Sequence, residues 1–403
     1  MKGKRRGVKE ILAGHFNQAL RRMPGQSSLR SSLLPLLLAA LAAASILSLG
    51  VASARAQDNP KLVIDDDCQA FDIASNNWIV FAVPKLKRIK KLIIERDEID
   101  VSTGPNKGRR LVDVDKFMPP DPPSGYVVNT LAWAPDAKHI AASITMQEPP
   151  PDYHPHVKKK GEEDRSDDSD VFSVGGKKAV ALFDADGNEI KVAGSKDRFI
   201  QDATNATWLA DGQTVVYLSL APPYTITSVR PSDGQTRQLF EGHTFDTVIW
   251  DAARNRAFAV SSNLSLRGRL TILALDLLRE SVTELATIDN YNGSLAVSKS
   301  GKKIGFFEDG DTIEVIDIDN PTKRIKVNAG LGRFEWGNDD DRVLLKRGPL
   351  DESNDLVWVG LNDDSFTPAL HDLEFHDFRI APDGQSLAVT VPGKRVLKVF
   401  PLE

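Results

Sequence analysis

The sequence predicts an all-β protein built from repeats of four antiparallel strands. Three observations lead to this prediction: one motif recurs seven times, strand hairpins lie between its copies, and helical periodicity is nearly absent after residue 60. In each copy an apolar pair ends on a bulky residue, a turn rich in Asp, Gly and Asn follows, and an apolar run comes next. The bulky residue occupies seven positions: Ile73, Trp133, Trp208, Trp250, Val297, Trp336 and Ile380.

The spacing of these bulky positions indicates the size of the repeat. Consecutive positions are 60, 75, 42, 47, 39 and 44 residues apart, and four of the six tryptophans occupy one of them. A spacing of about 43 residues matches one four-stranded blade of a β-propeller. The two long spacings contain insertions near 114–126 and 148–176, which lack hydrophobic periodicity and are predicted to be surface loops.

The second half of each unit supports the same architecture. Alternating, β-branched runs that are split by polar turns are typical of hairpins. In the segment Lys177–Gly194 we predict two strands around a turn at Asp184–Asn188. Four similar segments start at Thr225, Leu270, Asp311 and Asp355.

The two ends of the body predict how the ring closes. The last unit contains strands only at Phe378–Val391 and Arg395–Phe400, so it is one strand short, whereas a spare strand, Leu62–Asp65, precedes the first unit. A ring whose last blade borrows its outer strand from the other end of the chain has no open edge. We therefore predict a seven-bladed β-propeller closed by Leu62–Asp65. Six or eight blades would require one spurious or one missed motif, and the Val297 copy is the weakest.

Three copies of the motif resemble a known repeat. The segments WAPDAKHIAAS, WLADGQTVVYLS and IAPDGQSLAVTV are similar to the W-x-P-D-G-x-x-I-A repeat of TolB-type propellers. That repeat also occurs in the non-catalytic propeller of prolyl-oligopeptidase-like enzymes and is related in plan to WD40 repeats. The resemblance is specific in three of the seven units, and the Gly of the turn is replaced by Ala137 in the second. It implies a broad family of periplasmic scaffolds, sensors, protease gates and some enzymes.

The first 56 residues have the pattern of an export signal. Nine Lys/Arg and one acidic residue give them a charge of +8, an uncharged apolar run extends from Leu33 to Val51, and Ala54-Arg55-Ala56 follows. A basic region, an apolar region and an A-x-A site predict a signal peptide that is cleaved after Ala56. The body, residues 57–403, is then a single propeller domain in the periplasm or outside the cell. The alternative is an uncleaved signal anchor that tethers the protein to the membrane.

Charge and cysteine usage exclude several classes of protein. The formal charge of −5 leaves −13 for the body, which argues against nucleic acid as a partner because phosphate neutralisation needs clustered Lys and Arg. Cys68 is the only cysteine, so the chain has no intrachain disulfide, and it is predicted to be buried beside Phe71.

The search for catalytic motifs is negative. The sequence has no G-x-S-x-G elbow, phosphate-binding loop, G-x-G-x-x-G after a strand, or H-E-x-x-H. His154 and His156 lie in an insertion, and the Asp184–Asn188 segment has the spacing of a turn rather than of a calcium loop. We therefore predict no catalytic residue, no cofactor and no metal ion.

The sequence predicts a binding site at one mouth of the central channel. Polar residues stand three to five positions ahead of each bulky residue, where the chain enters the innermost strand of a blade. They are Gln69, Asn129, Asn205, Asp246, Asn292, Arg333 and His376. Arg333 and His376 are the strongest candidates, because one is a fixed cation and the other titrates near neutral pH.

These observations favour an exported, non-catalytic binding scaffold. Its expected partner is another exported or envelope protein, or a small ligand in the central channel, with no nucleic acid and no membrane once the signal is cleaved. The alternative is a lactonase-like propeller hydrolase with a metal or acid–base site at the channel mouth. That alternative requires Asp246, Asn292 and His376 to converge within metal-ligand distance.

Signal cleavage gives the first testable prediction. Because the A-x-A site directly precedes Gln57, the mature chain should begin Gln-Asp-Asn-Pro. Mass spectrometry of the N-terminal peptide, from protein recovered outside the cytoplasm, measures this directly. A recovered chain that still begins at Met1 would contradict cleavage and favour the membrane-tethered alternative.

Overall fold

Seven sheets of four antiparallel strands make up the computed structural model of the chain. The structure describes residues 62–402, with gaps at 65–67, 69, 90–91, 103–108, 113–124, 148–175, 223, 263–269, 290, 309–311, 329–332, 348–353, 364, 374, 376 and 392–395. The predicted signal segment 1–56 and the insertion 148–175 lie outside the described residues. Within the described part, no helix is long and apolar enough to cross a membrane.

The first three blades follow one another along the chain after a first strand, β1 (Leu62–Ile64), that belongs to the last blade. Blade 1 contains β2 (Phe71–Ile73), β3 (Ile79–Val83), β6 (Glu98–Ser102) and β7 (Arg109–Val112), with a separate hairpin of β4 (Leu86–Ile89) and β5 (Leu92–Glu95). Blade 2 contains β8 (Gly125–Trp133), β9 (His139–Gln147), β10 (Lys177–Asp184) and β11 (Ile200–Gln201). Blade 3 contains β12 (Ala203–Trp208), β13 (Val215–Ser219), β14 (Ile226–Arg230) and β15 (Gln235–Leu239).

The remaining four blades repeat the plan. Blade 4 contains β16 (Thr247–Asp251), β17 (Arg256–Ser262), β18 (Leu270–Asp276) and β19 (Ser281–Ile288). Blade 5 contains β20 (Tyr291–Val297), β21 (Lys303–Glu308), β22 (Thr312–Asp317) and β23 (Arg324–Asn328). Blade 6 contains β24 (Phe334–Trp336), β25 (Arg342–Arg347), β26 (Asn354–Gly360) and β27 (Phe366–Leu373). Blade 7 contains β28 (Asp377–Ile380), β29 (Ser386–Val391), β30 (Val396–Pro401) and β1.

The seven bulky positions mark the same point in every blade. Six of them are the last residue of the innermost strand, and Trp250 is the last but one of β16. A tight turn follows, and in six blades it places a residue at positive φ: Asn77, Ala137, Gly212, Asn255, Gly301 and Gly384. Ala137 adopts φ 55° where the TolB-type repeat has Gly, a conformation that is strained for a residue with a Cβ.

The apolar side chains are divided among seven cores, one for each pair of neighbouring blades. The core between blades 1 and 2, for example, contains Val80 and Trp133, and the core between blades 5 and 6 contains Phe307 and Trp336. The other five cores follow the same arrangement. Each blade therefore buries both of its faces, which is why middle strands such as β3 and β17 have a buried residue at most positions.

The predicted ring closure is confirmed. Strand β1 pairs antiparallel with β30, with Leu62 opposite Val399 and Ile64 opposite Leu397. The core between blades 7 and 1 is complete, and it includes Phe81 from blade 1 and Leu397 from blade 7. Cys68 contributes to this core and is 6% exposed, so its predicted burial is also confirmed.

Blade 2 differs from the prediction at its outer strand. The turn at Asp184–Asn188 forms as predicted, and Oδ1 of Asp184 accepts hydrogen bonds from the backbone N of Asn188 at 2.8 Å and of Asp186 at 2.9 Å. The second strand of the predicted hairpin is reduced to one bridge, between Phe183 and Glu189, and the outer strand is Ile200–Gln201 instead. The reason is packing, because Ile190, Val192 and Ile200 lie against the core shared with blade 3.

Removal of β1 tests the closure. A chain that begins at Asp66 leaves one edge of β30 unpaired, whereas a chain that begins at Gln57 keeps all three residue pairs. We expect the truncated chain to lose roughly 2 to 4 kcal/mol of unfolding free energy, since three antiparallel pairs hold about two or four backbone hydrogen bonds and each contributes about 1 kcal/mol. Chemical denaturation of both chains measures the difference. Equal midpoints would contradict a stabilising role for β1.

Candidate functional site

The central channel has an uneven lining. In each innermost strand, which lines the channel, the residue before the bulky position lies on the opposite face of the blade from the bulky residue, because side chains alternate along a strand. These seven residues are Asp72, Ala132, Thr207, Ile249, Ala296, Glu335 and Arg379. Charged residues occupy this level on the adjacent blades 6, 7 and 1, whereas the other four blades present small or uncharged side chains.

We call the charged side of the channel the charged wall, defined as Asp72, Arg333, Glu335, Asp377 and Arg379. Arg333 and Asp377 lie two residues ahead of Glu335 and Arg379. They form the outer level of the wall, and Asp72, Glu335 and Arg379 form the inner level. The outer level is at the mouth where the chain enters the innermost strands, here called the loop mouth. All five side chains are partly exposed, from 19% for Asp72 to 41% for Arg379. The wall therefore combines two arginines and three carboxylates within reach of the channel.

At the outer level of the wall, Arg333 is paired with two carboxylates. Nη1 of Arg333 donates to Oδ1 of Asp377 on the next blade, and its Nη2 donates to Oε1 of Glu335 at 3.2 Å. The guanidinium also lies over the ring of Phe378, 5.8 Å from its centre. These contacts hold Arg333 in one orientation between blades 6 and 7.

A buried lysine lies behind this level. Lys346 is 5% exposed, and its Nζ donates to the backbone oxygen of Phe375 at 3.0 Å. Burial lowers the pKa of the Lys346 ammonium, while the nearby Asp377 carboxylate opposes the shift. Lys346 therefore fixes the segment that leads into β28 and carries Asp377.

The inner level of the wall is incompletely paired. Nη1 of Arg379 lies 3.8 Å from Oδ1 of Asp72, which is outside hydrogen-bond distance. Its Nε is buried and finds no hydrogen-bond acceptor among the described residues. A guanidinium has five N–H donors, so Arg379 is the residue of the wall with the most capacity for an acceptor from a ligand.

Asp72 has an unusual environment for a carboxylate. Its Oδ2 accepts a hydrogen bond from the backbone N of Trp133 at 2.7 Å, which links blade 1 to blade 2. Burial raises the pKa of the Asp72 carboxyl, and this effect outweighs the opposing effects of Arg379 and of two backbone N–H donors. For Arg379, burial disfavours the charge, but Asp72, Glu335 and Asp377 outweigh it and raise the pKa of the guanidinium.

At the opposite mouth, here called the turn mouth, polar groups of neighbouring blades bind one another. Nδ2 of Asn77 donates to Oδ2 of Asp383 at 2.8 Å, and Nδ2 of Asn338 donates to the backbone oxygen of Asp383 at 3.0 Å. Nζ of Lys299 donates to Asn338 at 2.9 Å and to the backbone oxygen of Ala381 at 2.8 Å. These donors are used within the protein, in contrast to those of Arg379.

Three of the predicted mouth residues form hydrogen bonds within their own blade or to the next one. Asn129 donates to Oγ1 of Thr145 at 2.7 Å within its own blade. Asn205 adopts φ 48° at a bulge of β12 and donates to the backbone oxygen of Val248 at 2.7 Å, so it joins blades 3 and 4. Asp246 accepts from Oγ of Ser262 at 3.2 Å.

The other four predicted residues divide between the wall and the undescribed part. Arg333 belongs to the charged wall. Gln69 and His376 lie outside the described residues, as does the side chain of Asn292 in β20. Convergence of Asp246, Asn292 and His376 therefore stays a prediction.

Sequence reasoning missed Asp72, Glu335 and Arg379. The signal was present, because in three of the seven motif copies a charged residue directly precedes the bulky residue. Metal binding gains no support from the visible geometry: among the described residues, no group of three or more His, Cys, Asp or Glu side chains is arranged to hold an ion. His154 and His156 lie outside those residues.

Comparison with known proteins supports the fold alone. No family model and no curated protein matches this chain. Among solved structures, the chain is similar to the β-propeller domain of Cps50 (Swd1) from Myceliophteria thermophila, with a TM-score of 0.53 and 10% sequence identity, over 86% of this chain and 99% of that chain. Matches to solved structures number 1157, so such a widely shared fold does not select a function. The chain is a seven-bladed β-propeller, and its TolB-type character stays a prediction.

The Asp72 carboxyl gives a pH prediction. Because its pKa in the folded state is raised above the ordinary value of 3.8, its contribution to stability is complete below that value and is lost as pH rises through the folded-state pKa. We therefore expect the unfolding free energy of the wild type, relative to Asp72→Asn, to fall as pH rises from about 3 to 7. The substitution keeps an oxygen for the Trp133 N–H. Denaturation curves of the two proteins that stay parallel across this range would contradict the raised pKa.

Proposed function

We propose that the protein is an exported, non-catalytic β-propeller that binds another exported or envelope protein, or a small ligand, in its central channel. The observation that carries the proposal is the charged wall, which lies on blades 6, 7 and 1, whereas the residues directly before the bulky positions of the other four blades are uncharged. At the inner level of the wall, Nε of Arg379 finds no acceptor among the described residues, and the side chain as a whole is 41% exposed.

The rigid packing of the blades around this wall supports a role in binding. Seven separate cores hold the blades at fixed positions, so the wall residues need little reorganisation when a partner arrives. A ligand acceptor placed at the exposed end of the Arg379 guanidinium would add a hydrogen bond where Asp72, at 3.8 Å, makes none. The paired Arg333 and Asp377 at the loop mouth offer one cation and one carboxylate, which favours a polar partner over an apolar one.

Export is part of the proposal on sequence grounds. The basic region, the apolar run Leu33–Val51 and the A-x-A site support secretion to the periplasm or beyond. A body with a charge of −13 suits a soluble binding protein better than one that docks on anionic lipid.

The hydrolase alternative has no observation in its favour. It needs Asp246 together with Asn292 and His376, and the described contact of Asp246 is with Ser262 of its own blade. We therefore propose the scaffold and make no proposal of catalysis.

Cross-linked affinity capture with a matched pair of variants tests the scaffold function. Arg379→Gln removes the cation of the wall, whereas Arg279→Gln removes one from an outer turn of blade 4, where the side chain is 85% exposed. A specific partner should be recovered with the wild type and with Arg279→Gln, and recovery with Arg379→Gln should fall about tenfold, the loss typical of a charged hydrogen bond.

Thermal unfolding of both variants serves as the control for folding. Failure to recover any partner with the wild type under cross-linking would contradict the scaffold function. Equal recovery with both variants would place the binding surface outside the charged wall.

A further inference from the structure

The outermost strand of each blade is a potential site for pairing with another chain. In six of the seven blades this strand has a feature that limits such pairing. Strands β11 and β1 have only two and three residues. The pairings of β7, β19 and β27 with their own blades are interrupted by irregularities in register. Strand β23 is regular but carries Arg324 and Lys326. Short length, bulges and Lys or Arg residues are the devices by which proteins prevent edge-to-edge association.

Strand β15 of blade 3 has fewer of these devices, namely a single arginine. It pairs with β14 over five consecutive residues, from Arg230 opposite Gln235 to Ile226 opposite Leu239, without a break. Four of its five residues are exposed, and no described strand pairs with its other edge. Its one charged residue, Arg237, forms an ion pair with Glu280 of blade 4. Among the outer strands that the structure describes, β15 and β23 have the longest regular edges, each of five pairs, and β15 carries one basic residue where β23 carries two.

Two clefts flank this edge. One has a volume of about 390 Å³ and lies toward blade 2, lined among others by Phe199, Tyr217 and Thr236. The other has a volume of about 600 Å³ and lies toward blade 4, lined among others by Arg237, Phe240, Glu241 and Glu280. Thr236 lines both clefts, so they meet at β15.

The pairing register of β15 determines which cleft each side chain of an added strand would enter. Thr236 is opposite Val229, which belongs to the core between blades 2 and 3, whereas Leu239 is opposite Ile226 in the core between blades 3 and 4. Side chains of a strand paired with β15 would therefore point alternately into the two clefts.

The linings of the clefts define what these side chains should be. The cleft toward blade 2 includes the aromatic residues Phe199 and Tyr217 among mostly polar and small residues, and the two rings offer contacts to an apolar side chain. The cleft toward blade 4 is lined by Arg237, Glu241, His243 and Glu280 together with Phe240 and Val282. Because Glu280 pairs with Arg237, Glu241 is the carboxylate that the described ion pairs leave for a ligand. That lining suits a lysine or arginine, whose stem packs on apolar groups while its charge reaches a carboxylate.

We propose that β15 is a docking edge for an extended segment of a partner protein in which Lys or Arg alternates with apolar residues. The segment adds a fifth strand to blade 3. Backbone hydrogen bonds supply the affinity, and the two clefts supply the specificity. A second copy of this chain does not suit the edge, because two bodies of charge −13 repel and a pairing centred on Arg237 would oppose like charges.

The test uses a labelled peptide of seven residues in which lysine and valine alternate, and a second peptide of the same composition in block order. The wild-type body is compared with two variants. Thr236→Lys places a charge on the edge of β15 that opposes strand pairing, and the control Asn328→Lys adds the same charge to the exposed end of β23. Fluorescence anisotropy should show equal affinity for the wild type and Asn328→Lys, and about tenfold weaker binding for Thr236→Lys.

Hydrogen exchange adds a readout that general charge attraction would not change. The alternating peptide should slow exchange at the amides of Gln235–Leu239, and the block-order peptide should not. Equal binding of both peptides, equal loss in both variants, or unchanged exchange at β15 would overturn the proposal. Dimerisation of the free protein through β15, seen by sedimentation, would also overturn it by assigning the edge to a second copy. None of these outcomes depends on the charged wall of the channel.

Discussion

Everything in this molecule depends on the pairing of the first strand of the body with the last. When β1 binds β30, blade 7 gains its fourth strand, and the core between blades 7 and 1 can form from residues such as Phe71 and Leu397. A propeller blade buries apolar side chains on both faces, so a ring with one open interface would expose two of these faces to water. Closure therefore determines the positions of all the blades, and with them the width of the channel and the spacing of the clefts at the rim.

The same closure explains where the charges of the channel lie. Blade 7 is built from both ends of the body, and its contacts with blades 6 and 1 include the pairs Arg333–Asp377 and Arg379–Asp72. Exposed ion pairs contribute little stability, and partly buried ones lose part of their attraction to desolvation. Apolar packing therefore closes the ring, and the charged wall gives the channel its polarity. The loose geometry of Arg379 is consistent with a role in binding rather than in holding the blades together.

The two surfaces proposed for binding lie on different parts of the ring and use different chemistry. The charged wall belongs to blades 6, 7 and 1 and offers side-chain charges, whereas β15 belongs to blade 3 and offers backbone groups between two clefts. A rigid ring can present both at once, because each blade packs only against its neighbours. A partner could thus dock an extended segment at the rim while another group enters the channel, which would raise the effective affinity of both contacts.

The sequence by itself determined the repeat, the strands and the closure of the ring. The bulky residues, the turns after them and the spare strand at Leu62 are local patterns, and short-range sterics and side-chain alternation are enough to interpret them. Only the tertiary structure decided which polar residues meet. Asp72 and Arg379 are 307 positions apart and become neighbours because the ring closes, whereas Asn205 and Asp246, which have equivalent places in the motif, hydrogen-bond to different strands. The outer strand of blade 2 was decided in the same way, because packing of Ile190 and Val192 against blade 3 outweighed the local hairpin pattern.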